Sequence, residues 1–410
     1  MLNYIWAFFF IASFIAAVIT CFLGGNIDIW SQMSNALFEA AKSGFEISIY
    51  LTGMLCFWLG LLKIAEKSKI TDSLAHFLYP LFKKIMPEIP EKSPAFGSIV
   101  MNIAANILGL DNAATPMGLK AMEQLQAENK SRTSASNAQI LFMVINSSSV
   151  TLIPITILMY RSQLGSSNPG LVFIPILLAT SISTLVGFLS VAMVQRLNIF
   201  NRVVLLYGII FVGIISALGA GFALLGAEAR AALSSSLGNF ILIFTIFCFI
   251  TIGLCRKIKV YDEFIKGAKE GFNIAVSIIP YLVAMLVAIA LFRSSGALDL
   301  LIMGVEKICT IFNLNADFVP ALPTALLKPL SGSGARAMMI ETMQNYGVDS
   351  FPAFVSSVVQ GSTETTFYVL AVYFGAVKIT NTRHALPCAL LADLAGIVAA
   401  VLLSYWFYAG

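Results

Sequence analysis

Apolar runs of about 20 residues recur from one end of this chain to the other, each long enough as a helix to cross a bilayer at roughly 1.5 Å of rise per residue. In hydrocarbon an unpaired polar group costs several kcal/mol, so a backbone crossing lipid has to satisfy itself, as a helix does. A helix-length window predicts nine spans, at about 2–24, 45–62, 137–160, 171–195, 203–225, 237–255, 273–292, 352–375 and 386–408. Two further stretches, about 95–119 and 315–335, are apolar but broken by Gly, Pro, Asn and Ser, and are read as re-entrant or broken helices. The expected fold is an all-α polytopic membrane protein.

Composition agrees. Charged residues make up 11% of the 410 and hydrophobic ones 58%, where a water-soluble domain carries roughly 25% charged residues. The first 24 residues lack a basic n-region and an A-x-A site, so they are read as a retained helix and not as a signal peptide. A net charge of +4, scattered and without basic clusters interleaved with aromatics, argues against nucleic acid as a partner. The six cysteines form no CxxC, and His76 and His384 lie far apart, so neither a disulfide framework nor a metal site is expected. With no GxSxG either, the chain is read as not an enzyme and without a cofactor.

Lysine and arginine set the expected orientation. If residues 63–94, 120–136, 196–202, 256–272 and 376–385 are cytoplasmic, they hold 18 of the 25 basic residues. The N-terminus is then cytoplasmic, in a multi-pass protein of a bacterial cytoplasmic (inner) membrane. Asp262, Glu263, Lys266, Lys269 and Glu270 are read as a solvated cytoplasmic helix.

The chain also repeats itself. Ala41-Lys42-Ser43-Gly44-Phe45 opens one span and Ala268-Lys269-Glu270-Gly271-Phe272 opens another. After each comes an amphipathic stretch, a Gly/Pro-interrupted segment, a second amphipathic stretch and a span carrying a polar cluster. The expected division is 1–200 and 201–410. With the orientation above, the spans at 45 and 273 run in opposite directions, which makes the halves inverted repeats, a common plan in secondary transporters.

Four polar clusters at membrane depth are the candidate substrate-binding residues. The first is Asn102, Asn106, Asp111, Asn112 and Thr115, in which the two asparagines four apart share a helical face and Gly109 and Pro116 break the helix. Ser331 and Ser333 lie in a Gly/Ser turn suited to presenting backbone N–H groups at a helix N-terminus, while Lys328 and Arg336 beside it either serve the site or reach the interface. Asn146 and Ser148 belong to a run whose alternative role is to cross-link helices. Gln360, Ser362, Thr363, Glu364 and Thr365 make the last cluster, with Gln360 and Glu364 on one helical face. Glu364 binds a cation, carries a proton or bonds a substrate hydroxyl, unless it is held in an ion pair with Lys328 or Arg336. Asp393, in the last span, is read as a supporting acid that pairs with Arg383 or Lys378.

The residues NIAANILGLDNAATPMGLKAMEQLQ, NSSSVTLIPITILMYR and GSSNP resemble the spore maturation protein A family, and PLSGSGA, YGVDSF, QGSTETTFYVLAVYFG and ADLAG resemble the spore maturation protein B family. The resemblance covers nearly the whole chain, as though the two were fused as a first and a second Gate-like repeat. Asp111, where the pattern has Gly, adds an acid to the candidate site, and Arg336-Ala337 after the SGSGA turn is a second departure. The resemblance implies membership of the nucleoside recognition, or Gate, group, which is similar to concentrative nucleoside transporters and to the membrane part of ferrous iron transporters. The function expected is alternating-access transport of a small polar solute bound at the midplane between two broken helices. Na⁺ or H⁺ is the candidate coupling ion, the lipid bilayer is the surroundings, and a homo-oligomer is open. The alternative is a non-transporting membrane scaffold or regulator of envelope or spore-type maturation.

Overall fold

The computed structural model describes residues 2–22, 25–90, 92–107, 111–313 and 315–408. The order begins with α1 (Leu2–Phe22), α2 (Ile29–Lys67), α3 (Ile70–Ile85), α4 (Ala95–Ile107), α5 (Asp111–Glu128), α6 (Asn137–Ser147), α7 (Ile155–Gln163) and α8 (Phe173–Gln195). Two helices follow that stand outside the repeated order, α9 (Arg202–Ala223) and α10 (Ala227–Cys255). The order then resumes with α11 (Val260–Ser294), α12 (Ala297–Ile311), α13 (Leu322–Leu327), α14 (Gly332–Tyr346), α15 (Phe351–Ser362), α16 (Thr366–Ala376) and α17 (Ala385–Phe407). Among the described residues, six helices (α2, α8, α9, α10, α11 and α17) are long and apolar enough to cross a membrane, and α1 is a shorter apolar helix from Trp6.

Two of the nine predicted spans are not continuous. The stretch 137–160 is α6, a break and α7; the stretch 352–375 is α15, a break and α16. Local chemistry favours both. Ser147 and Ser148 turn their hydroxyls back onto the Val144 carbonyl, and Pro154, six residues on, has no N–H to donate. Ser362 bonds back to Val359 in the same way, and Thr363 leaves helix for extended backbone. An apolarity window passes over both breaks, because the apolar residues on either side dominate its average. Each broken span also begins alike, on a serine cap: Ser136, in a capping box with Gln139, and Ser350. Conversely, the charged segment 260–270 is not a separate helix but the first turns of α11, with Gly267 and Gly271 pressed on α2.

The helix pairs related by the repeat run antiparallel. Along α2 and α11, Gly44 meets Val283 while Gly60 meets Phe264. Along α8 and α17, Gly187 meets Ala392 while Ser183 meets Gly396. Equivalent helices can cross head to tail only if one half is turned over, so the halves are inverted repeats. The halves interlock, α2 against α11 and α8 against α17, and one core cluster draws residues from both.

Contacts tie all five basic loops to one face. Lys63 pairs with Glu270 at 3.2 Å, Asn137 donates to Glu88, Gln195 donates to the Asn137 carbonyl, Arg383 donates to the Ala135 carbonyl, and Tyr207 donates to the Phe77 carbonyl. The opposite face is pinned by Asp349, which accepts from Arg161, Ser166 and Ser167 while its own carbonyl accepts from Tyr408. Cysteines placed at the exposed Lys67 and Lys259, in a background without the native six, should therefore react with an impermeant thiol reagent from one side of the membrane, and one at the exposed Asp317 from the other. Labelling of positions 67 and 259 from opposite sides would break the topology.

Candidate functional site

Each half contributes one helical hairpin that enters and leaves by the same face, α4–α5 from the basic face and α13–α14 from the other, and one broken span that crosses. The hairpin tips and the span breaks meet. The Leu152 N–H, in the first break, donates to the Ile107 carbonyl at the end of α4 (3.0 Å), and the Phe367 N–H, after the second break, donates to the Pro329 carbonyl between α13 and α14 (3.0 Å). Groups freed by one interruption are thus satisfied by the next, the condition under which irregular backbone persists at membrane depth. The breaks also bind each other across the pseudo-twofold axis, through Glu364 N–H to the Ser147 carbonyl at 2.8 Å.

A polar cavity of about 110 Å³ opens where these elements converge. Its wall carries Asn106, Gln360, Thr363 and Glu364 from the predicted set, together with Lys328 and Arg336. Glu364 is exposed to it, while Lys328 is only 4% exposed and Arg336 lies over the Tyr160 ring at 5.9 Å. Lys328 and Arg336 therefore do not serve as interfacial anchors. Gln360 and Glu364 do not share a helical face, since the chain breaks between them; they reach the same cavity from α15 and from the break. The amide oxygen of Gln360 and the hydroxyl of Thr363 have no hydrogen-bond partner in the protein, which leaves them for a solute or water.

Other predicted residues hold the scaffold. Asn102 is fully buried, donating to the Ala114 carbonyl at 2.7 Å and to the Tyr373 hydroxyl at 3.3 Å. Asn146 accepts from Asn106 at 2.8 Å and donates to the Phe142 carbonyl, so it aims the cavity amide. Ser148 and Ser362 bond within their own helices. Ser331 caps α14 through the Gly334 N–H, with Ser333 at 3.3 Å, and Thr365 is buried at the start of α16. Thr115 is exposed on α5. Asp111 and Asn112 open α5, and their side chains lie outside the described residues, as does Gly109.

Asp393 is not paired with Arg383 or Lys378. Arg383 is spent on the Ala135 carbonyl, and Asp393 is buried in the middle of α17. Tyr160, Ser149, Thr151 and Thr156 also line the wall. Tyr160 carried no signal, sitting in an apolar run where an aromatic ring looks like core.

The nucleoside recognition family, Gate, matches this chain over residues 48–167 and 275–380, which contain both hairpins and both broken spans. Among relatives, spore maturation protein B of Bacillus subtilis (strain 168) is 48% identical over 151 residues, covering 83% of that protein and 37% of this chain. Spore maturation protein A of the same organism is 39% identical over 183 residues, covering 90% of that protein and 45% of this chain. No solved structure matches.

Proposed function

Because the chain belongs to the Gate, or nucleoside recognition, family, we propose that it is a transporter that carries a nucleoside-like solute through the cavity where its four helix interruptions meet. The observation that carries this reading is that two interruptions from each inverted half converge on a single polar space. Related halves that can exchange conformations around a fixed midplane site are the basis of alternating access. The wall chemistry suits a neutral, hydroxyl-rich molecule with a ring. Glu364, Gln360 and the Asn106 amide oxygen offer acceptors, Lys328 offers a donor, and Tyr160 with Arg336 offers a stacking surface.

Uptake of labelled uridine by purified protein in liposomes tests the reading. Hydrogen bonds to a charged group contribute about 1.5–3 kcal/mol, so E364Q should lower uridine affinity by at least about tenfold while the protein stays folded and inserted. Absence of uptake and of nucleoside binding by the native protein would overturn the proposal.

A further inference from the structure

Asp393 is an isolated acid at membrane depth. It is 1% exposed, and neither carboxylate oxygen has a hydrogen-bond partner. The Thr366 hydroxyl faces it without closing a bond of normal geometry and is itself unpartnered. One turn along α17, a Cβ on Gly396 would stand 2.6 Å from the Thr363 side chain and 3.1 Å from the Ser362 carbonyl, so α17 lies directly on the second break. Buried oxygens without hydrogen-bond partners therefore lie on both sides of this contact, Gln360 and Thr363 on the cavity wall and Thr366 and Asp393 behind it.

The charges that reach Asp393 are Lys328 and Glu364, both on the cavity wall. The residues seen against this part of α17 are neutral, with Ser183 and Gly187 from α8 and Thr363 from the second break, while Val144 and Ser148 of α6 lie on the other side of Gly187. An ionised carboxylate left alone in such surroundings is far more costly than an unmade neutral hydrogen bond, and the group neutralises itself instead. Among the described residues no group of three or more His, Cys, Asp and Glu could hold a metal ion. A proton neutralises a single carboxyl without needing a coordination shell.

We propose that Asp393 is a proton-binding site of this protein, linked to the cavity by the hydroxyls of Thr366 and Thr363. The carboxyl holds one proton when the second break is closed over it. On release, the proton leaves the carboxyl oxygen for a cavity water, and the carboxylate that remains faces the Thr366 hydroxyl and the Lys328 charge. That this proton is coupled to solute movement rests on the transport reading above; that the site exists does not.

Infrared difference spectroscopy on the full chain in lipid nanodiscs tests the site without any substrate. Near neutral pH the native protein should show the carbonyl stretch of a protonated carboxylic acid, missing in D393N and retained in E364Q. T366V, which keeps the acid and removes its facing hydroxyl, should shift the band, and it keeps the test valid if D393N does not fold. Absence of such a band, or its loss when Na⁺ is added at constant pH, overturns the proposal, the second outcome because a metal cation would be the occupant. Calorimetry of uridine binding in two buffers of different ionisation enthalpy tests the coupling. Native protein should exchange a proton count near one per bound uridine, and D393N should bind with none. If no nucleoside binds at all, the transport reading fails while the infrared result still decides the site.

Discussion

Gly267→Leu should cost the protein its fold, a loss on the order of 3 kcal/mol or more, because overpacking a tight contact against backbone leaves nothing that can move aside. Even a single Cβ at this position would stand 2.2 Å from the Leu59 carbonyl oxygen and 2.7 Å from the Lys63 Cβ. Gly271, one turn on, is equally close to α2, at 2.6 Å from the Leu55 carbonyl oxygen. Small residues four apart let helix backbones approach closely in lipid, where dispersion and close fit replace the hydrophobic effect as the attraction between helices. The α2–α11 contact joins the two halves, so opening it also displaces the hairpins that form the cavity. Unfolding by SDS, followed by circular dichroism, measures the change. Gly208→Ala on α9, where nothing lies within 4 Å of the new Cβ, is the control and should be neutral or slightly stabilising.

The second large effect is expected at Arg161, whose guanidinium is 1% exposed and bonds the Val348 carbonyl at 3.1 Å, Ser357 at 3.3 Å and Asp349 at 2.9 Å. It fastens the end of α7 to the turn that starts α15, joining the two broken spans on the face opposite the basic loops. Arg161→Met should destabilise by about 2–3 kcal/mol, under the roughly 3–5 kcal/mol of a wholly buried pair because the stranded Asp349 is 40% exposed and can hydrate.

A pH signature accompanies it. Partial burial pushes the Asp349 carboxyl up, but the hydrogen bonds from Ser166 and Ser167 and the Arg161 charge outweigh it and hold the group below its ordinary value. A depressed folded value means stability that is fully present above the unfolded carboxylate value and is lost as pH falls through the folded one. The native protein should therefore lose stability on the acid side more steeply than Arg161→Met. Equal acid-side slopes would mean that the pair contributes nothing to the latch.

The polar residues at membrane depth were legible because their cost in lipid makes them conspicuous, and Asn106, Gln360, Thr363 and Glu364 do reach the cavity. What could not be read was which of them face it. Asn102 and Asn106 do share a helical face, with Asn106 Nδ2 3.5 Å from Asn102 Oδ1, yet Asn106 opens on the cavity while Asn102 is consumed by Ala114 and Tyr373, the latter 271 positions away. The spacing rule that put Gln360 and Glu364 on one face assumed an unbroken helix, and it led to the right wall by the wrong geometry.

The order of elements, the inverted repeat and the basic face were determined by sequence alone, because each rests on patterns within one helix length: apolar runs, Lys/Arg counts and the paired AKSGF and AKEGF strings. The breaks at Ser148–Pro154 and Thr363–Thr365 were decided by tertiary structure, since a transmembrane helix stays interrupted only where partners from elsewhere take up its freed backbone groups. Ile107, Pro329 and Ser147 supply those partners. The isolation of Asp393 is of the same kind. Arg383 and Lys378 stand nearest to it in sequence, but the packing of α17 against α8 and the second break sends Arg383 to another carbonyl and leaves the acid alone beside Thr366.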